Sequence, residues 1–198
     1  MKNNSTEKVI ITDVTLREYG QNVPARYLPI FSSELRVETA LKLIDAGFKN
    51  IEVFSCVPPK IAPAMNPQAL KKIAKGLGRI RAVNFITLVP NKAGYKSFLK
   101  NGLGPDWYDH TMAIFFSAVD AHNRANLGKT IKETINEYKL ILKDAVKEKI
   151  RVLTYISAAF GYLSPEDNTL IKPDVDSLVD FIDLFFDLGS EAITLSDL

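Results

Sequence analysis

Residues 9–18 read Val9-Ile10-Ile11-Thr12-Asp13-Val14-Thr15-Leu16-Arg17-Glu18. A run rich in β-branched residues, stiff at χ1 and suited to a pleated strand, leads directly to an arginine beside a carboxylate. The same design recurs along the chain, at Asn50–Ser55, Ala82–Val89, Thr111–Ser117, Val152–Ser157 and Ala192–Ser196. Each run carries polar groups at or just beyond its C-terminal end: Glu52 and Ser55, Thr87 and Asn91, Ser117, Ser157, and Asp197.

Between these runs the apolar residues take a helical period. Val37, Leu41 and Ile44 fall on one face behind Ser33 as N-cap, and Asn66-Pro67 supplies a cap and a first-turn proline. Asn91 caps a third helix that Gly102 closes, and Thr130 caps a fourth with Ile131, Ile135, Tyr138 and Ile141 in a stripe. A fifth starts near Pro173, packs Val175, Val179 and Ile182, and ends before Gly189. Strands therefore start roughly every 30 to 40 residues, the length of a βα unit. Strict alternation argues for a parallel sheet covered by helices.

Two architectures fit that alternation, an open doubly wound sheet and a barrel. No G-x-G-x-x-G follows the first strand, which removes the main signal of the dinucleotide-binding open sheet. An open sheet gathers its reactive groups near one switch point, whereas a barrel presents them at the C-terminal end of every strand. The prediction is an α/β fold of the TIM (β/α)8 type, incomplete, with about six parallel strands and five helices in one domain over residues 1–198. Two further units, on the order of 80 residues, would close it. The two sheet edges left open invite self-association, so a homo-oligomer is expected.

Composition narrows the function classes. Apolar residues make up 46% and charged residues 24%, as in ordinary soluble domains, and the net charge is only +2 with the lysines dispersed. That distribution gives no reason to expect nucleic acid or an anionic membrane as partner. No stretch of 18 apolar residues occurs, and the opening MKNNSTEK lacks the apolar core of a secretory leader. Cys56 is the single cysteine, which excludes an intrachain disulfide and fits a reducing, cytoplasmic setting.

The residues able to carry chemistry are few. Arg17 offers a permanent planar cation to an enolate or carboxylate oxygen, and Glu18 a hard donor for a divalent ion; a surface ion pair is the plainer reading of both. Glu52 is the only charge within an apolar strand, where burial is expensive unless it is paired, and Arg17 is its natural partner. Asp197 suits either acid–base work or an N-cap. His110 and His122 have no histidine at metal-ligand spacing; His110 reads as structural and His122 as loop packing. Cys56 has no neighbouring base and reads as a buried thiol.

Taken together, these segments resemble the metallolyase branch of TIM barrels, and most of all the 3-hydroxy-3-methylglutaryl-CoA lyase family. Arg17-Glu18-Tyr19-Gly20-Gln21-Asn22 is similar to that family's R-D-G-x-Q-N. Ile51 through Met65 resembles I-E-x-x-S-F-V-x-P-K-x-x-P-x-M, with Glu52, Ser55, Pro59, Lys60, Pro63 and Met65 in register. Leu88-Val89-Pro90-Asn91, Ser117 to Thr130 with Asn126, Tyr155 to Gly161, and Ile193 to Asp197 extend the resemblance over nearly the whole chain.

The resemblance implies a retro-Claisen cleavage of an acyl-CoA to acetyl-CoA and acetoacetate, a step of leucine degradation and ketone-body formation. By the same resemblance Arg17 polarises the carbonyl, Glu52 and Asp197 belong to the acid–base set, and Glu18 stands at the metal-ligand position for Mg²⁺ or Mn²⁺. Gln21, Asn22, Ser55, Asn126 and Ser157 would line the acyl-CoA pocket. Two departures stand out. Glu18 and Tyr19 replace the family's aspartate and glycine, and the family's H-x-H metal pair and late cysteine have no counterpart here. The sequence therefore predicts an incomplete metal site and an inactive or nearly inactive 198-residue form. Two alternatives stay open: a Claisen-type synthase of the same branch, such as an isopropylmalate synthase, and a non-catalytic acyl-CoA-binding remnant.

Overall fold

Six parallel strands lie side by side in chain order: β1 (Thr12–Asp13), β2 (Asn50–Ser55), β3 (Asn84–Leu88), β4 (His110–Ser117), β5 (Arg151–Ser157) and, at the far edge, β8 (Ala192–Leu195). They come from a computed structural model that describes residues 9–78, 80–102 and 110–197; the polar octapeptide at the start lies outside these. Two short strands after β5, β6 (Tyr162–Leu163) and β7 (Leu170–Ile171), form a separate antiparallel hairpin. The main sheet is an incomplete TIM-type barrel.

The five expected helices are α2 (Ser33–Asp45), α3 (Pro67–Leu77), α4 (Lys92–Ser97, continued by a π-helical turn at Phe98–Gly102), α6 (Ile131–Lys147) and α7 (Val175–Asp187). Their caps follow the side-chain chemistry expected of them. Asn66, Asn91 and Asp174 each accept a backbone N–H from the first turn, and Thr130 forms a reciprocal capping box with Glu133. The α2 cap is Ser32 rather than Ser33, one residue earlier than the periodicity suggests.

Two more helices, α1 (Thr15–Asn22) and α5 (Asp120–Leu127), occupy segments that read as loops, giving seven among the described residues. Neither has a wide apolar stripe: α1 buries only Leu16 and Gly20, and α5 only Asn123. Local polar contacts hold α5 instead. Asp120 pairs with Arg124 one turn on at 2.6 Å, and Gly128 closes the helix in the left-handed conformation, φ 68°. In α1, a methyl at Gly20 would lie 2.4 Å from the Met65 side chain, so the glycine lets this helix sit tightly on the turn at Pro63–Met65.

The sheet separates two apolar layers. Its outer face packs on the helices through Ile51, Phe54, Phe85, Met112, Phe116 and Ile156, among others. The inner face carries a smaller cluster of Ile86, Leu88 and Ala113 with Phe115, Leu153 and Tyr155 against it. Each fully buried side chain of this size contributes roughly 1.5–3 kcal/mol, so the outer layer dominates stability. The first strand is shorter than its composition suggests. β2 begins opposite Thr12, so Val9, Ile10 and Ile11 find no ladder partner there and remain 81%, 76% and 65% exposed.

One irregularity governs what faces inward. The β2–β3 register shifts between Glu52 and Phe54, so that Glu52 pairs with Ile86, Phe54 with Thr87 and Ser55 with Leu88. Paired residues in a sheet point to the same side. The bulge at Val53 thus turns both Glu52 and Ser55 to the inner face while Phe54 stays on the helix side.

Candidate active site

Arg17 and Glu52 meet at the C-terminal rim of the sheet. Strand β2 delivers Glu52 to the inner face with 1% of its surface exposed, and α1, which packs on β2, lays Arg17 over it. Arg17 Nε donates to Glu52 Oε2 at 2.7 Å. A second donor reaches the other carboxylate oxygen: the hydroxyl of Tyr155, on the inner face of β5, bonds Glu52 Oε1 at 2.5 Å. Burial first, and then the nearby Glu52 carboxylate, push the Tyr155 pKa upward, so the phenol keeps its proton and stays a donor.

Glu18 is more exposed and is already engaged. Its carboxylate pairs with Arg17 Nη1 and accepts from Asn22 Nδ2 at 2.9 Å. Asn22 Nδ2 also reaches the Glu18 carbonyl at 3.0 Å, so this side chain ties off the last turn of α1. Gln21 Oε1 lies 3.5 Å from Arg17 Nη1. Ser55 is fully buried, and its hydroxyl has no hydrogen-bond partner among the described residues. A buried unpaired hydroxyl is expensive to leave unmade, which suits a group waiting for a ligand atom.

The remaining expected site residues spread around the rim. Ser157 ends β5, half-buried, with its carbonyl accepting from Ala118 N at 2.9 Å. Asp197 follows β8 and is exposed. Asn126 sits on the exposed side of α5. The residue that organises that loop is Asn123, fully buried: it accepts from Ser117 N at 2.9 Å and donates to Lys129 O at 2.8 Å and Thr134 Oγ1 at 2.9 Å.

Two polar groups expected at the rim are structural instead. Thr87 points to the helix side, where its hydroxyl bonds His110 Nε2 at 2.8 Å, and Asn91 is the α4 cap. Cys56 is a buried thiol whose pKa burial pushes up to about 12. His122 packs its ring 5.0 Å from that of Tyr162, and burial lowers its pKa. Tyr155 was missed in the sequence although it lies two residues from inward-facing Leu153; the alternation of β5 is the signal that would have found it.

The metal test is less favourable. Among the described residues no three His, Cys, Asp or Glu groups come together to hold a metal ion. Glu18 is one candidate donor, and Arg17 and Asn22 already satisfy it. The described residues do not form a ligand set for Mg²⁺ or Mn²⁺.

A parallel β/α half-barrel with a cation–carboxylate cluster on its C-terminal rim defines the class: TIM-barrel proteins that work from that rim. Comparison with known proteins narrows it. No family model matches the chain. It is 27% identical to the hydroxymethylglutaryl-CoA lyase YngG of Bacillus subtilis over 93% of its own length and 58% of that protein's. To the (R)-citramalyl-CoA lyase of Chloroflexus aurantiacus it is 31% identical, over 81% of this chain and 51% of the relative. The crystal structure of the Bacillus subtilis HMG-CoA lyase superposes with a TM-score of 0.76 at 27% identity, covering 95% of this chain and 57% of that one. The chain thus spans between half and three fifths of the length of these relatives. In sequence and in fold it is similar to the HMG-CoA lyases. No helix among the described residues is long and apolar enough to cross a membrane.

Proposed function

We propose that this chain is a carbon–carbon lyase of the HMG-CoA lyase type, with 3-hydroxy-3-methylglutaryl-CoA as substrate and acetyl-CoA and acetoacetate as products. The observation that carries this reading is the Arg17 guanidinium, held on buried Glu52 where the relatives' fold gathers its chemistry. A fixed guanidinium stabilises the oxyanion that develops as the C–C bond breaks. With both its oxygens engaged, Glu52 contributes by holding that cation, which leaves Asp197 as the carboxylate for proton transfer. Gln21, Asn22, Ser55, Asn126 and Ser157 line the acyl-CoA path, and the unpartnered Ser55 hydroxyl is the one poised to bond substrate.

Among the described residues the divalent ion expected from the resemblance has one candidate donor, Glu18. We propose that residues 1–198 act as one barrel unit and do not turn over substrate by themselves. The exposed run Val9–Ile11 supports self-association of this form. A cytoplasmic location fits the lone reduced cysteine.

Titration with 3-hydroxy-3-methylglutaryl-CoA in the presence of Mn²⁺, with acetoacetate followed in parallel, tests the reading. Saturable binding that Arg17→Gln abolishes, without enzyme-like acetoacetate release, is the expected result. Absence of binding overturns the lyase assignment; rapid release of acetoacetate overturns only the claim of inactivity.

A further inference from the structure

The two oxygens of Glu52 each have their own donor, Arg17 Nε on Oε2 and the Tyr155 hydroxyl on Oε1. Those partners lie 35 and 103 residues away in sequence, so only the closed arrangement of β2, β5 and α1 brings them together. The terminal torsion of a glutamate is broad and roughly two-fold, so a carboxylate held by one partner can swing. A second donor on its far oxygen removes that freedom.

The consequence falls on the cation. Arg17 Nη1 leans on Glu18, whose side chain is 56% exposed, while Nε is bound to a carboxylate only 2% exposed. Contacts to exposed partners are weak and easily exchanged with water, so the Glu52 bond sets the plane of the guanidinium. Among the described residues Nη2 has no partner, which makes it available to a ligand oxygen.

We infer that Tyr155 is a positioning residue for the Arg17 cation, acting through Glu52 and not by contact with substrate. Its hydroxyl pins the carboxylate, the pinned carboxylate fixes Nε, and the fixed guanidinium presents Nη2 at the rim. The catalytic meaning of this chain of contacts rests on the lyase reading, but the contacts do not. A Tyr155 that merely filled the inner layer would be replaced by phenylalanine without effect on Arg17.

Nuclear magnetic resonance of the ¹⁵N-labelled protein without substrate separates the two. The Arg17 Nε–H signal, assigned through its side-chain carbons, should exchange with solvent about tenfold faster in Tyr155→Phe, the factor one charge-assisted hydrogen bond supplies. Unchanged exchange in a folded Tyr155→Phe protein overturns the inference. A second measurement needs no variant and decides the matter should that protein not fold. With ring-¹³C tyrosine, the Tyr155 hydroxyl proton of the wild type should be visible, downfield and slow to exchange; a hydroxyl in rapid exchange with water overturns the inference. Because no acyl-CoA is present, either outcome is independent of whether the protein proves to be a lyase.

Discussion

Tyr155 and Glu52, on strands separated by two others, share one hydrogen bond across the inner face of the sheet, and Arg17 completes the set from the rim. The carboxylate is nearly without solvent, and the cation is partly open to it. Charge held this way is stable only as a pair, which makes the pair a point of mechanical as well as chemical sensitivity.

Removing one partner of a buried pair strands the other. Arg17→Gln leaves the Glu52 carboxyl without its cation in an apolar layer and should cost about 3 kcal/mol. For a chain of this length that lowers the thermal midpoint by roughly 6–12 °C. Calorimetry checks it, and a change below about 2 °C would mean that the carboxylate is far better solvated than its burial indicates.

Asn123 makes three hydrogen bonds from a fully buried position, joining the end of β4 to the start of α6. Asn123→Ala should destabilise by about 2–4 kcal/mol through the donors and acceptor left unpaired. Asn126→Ala, on the exposed side of the same helix, should stay within roughly 0.5 kcal/mol. Urea unfolding of the two variants compares them directly.

Burial holds the Cys56 thiol neutral, with its pKa raised from an ordinary 9.0 to about 12. The favoured form in the fold is the protonated one. Its contribution to stability is therefore intact below pH 9 and is lost as pH rises from there toward 12. At pH 8 the native thiol should react with a disulfide reagent at least about 100-fold more slowly than in denaturant. Comparable rates would place Cys56 at the surface.

Glu18 alone should hold a divalent cation poorly. Mn²⁺ titration by calorimetry or electron spin resonance should give a Kd of roughly a millimolar or weaker, as expected for a hard ion with few protein ligands. Micromolar binding that survives Glu18→Gln would locate the ion elsewhere.

The large architecture was legible because strand and helix periods differ and alternate, from Val9 through Ala192, and because each of the five expected helices starts at a capping side chain such as Asn66 or Thr130. The pairing of Arg17 with Glu52 was legible for a different reason: a lone carboxylate in an apolar strand requires a cation, and few are near a strand end. What escaped the sequence was decided by packing. Helices α1 and α5 bury one or two residues each and leave no periodic trace. Tyr155 joined Glu52 through a contact 103 residues long that no local pattern encodes. Thr87 sits near a strand end like a true rim residue, and only its facing separates it from the site.

The bulge at Val53 has a further effect on how this site tolerates change. A regular strand shows alternate residues to one side, so two inward positions three apart cannot coexist without an extra residue between them. Straightening β2 with Val53 kept in the alternation would force a choice: Glu52 keeps its partners and Ser55 rotates into the helices, or the hydroxyl is kept and the carboxylate is driven to the side of Phe54 and its neighbours. The irregular pairing at Val53, more than the identity of its side chain, is what keeps hydroxyl and carboxylate on one wall.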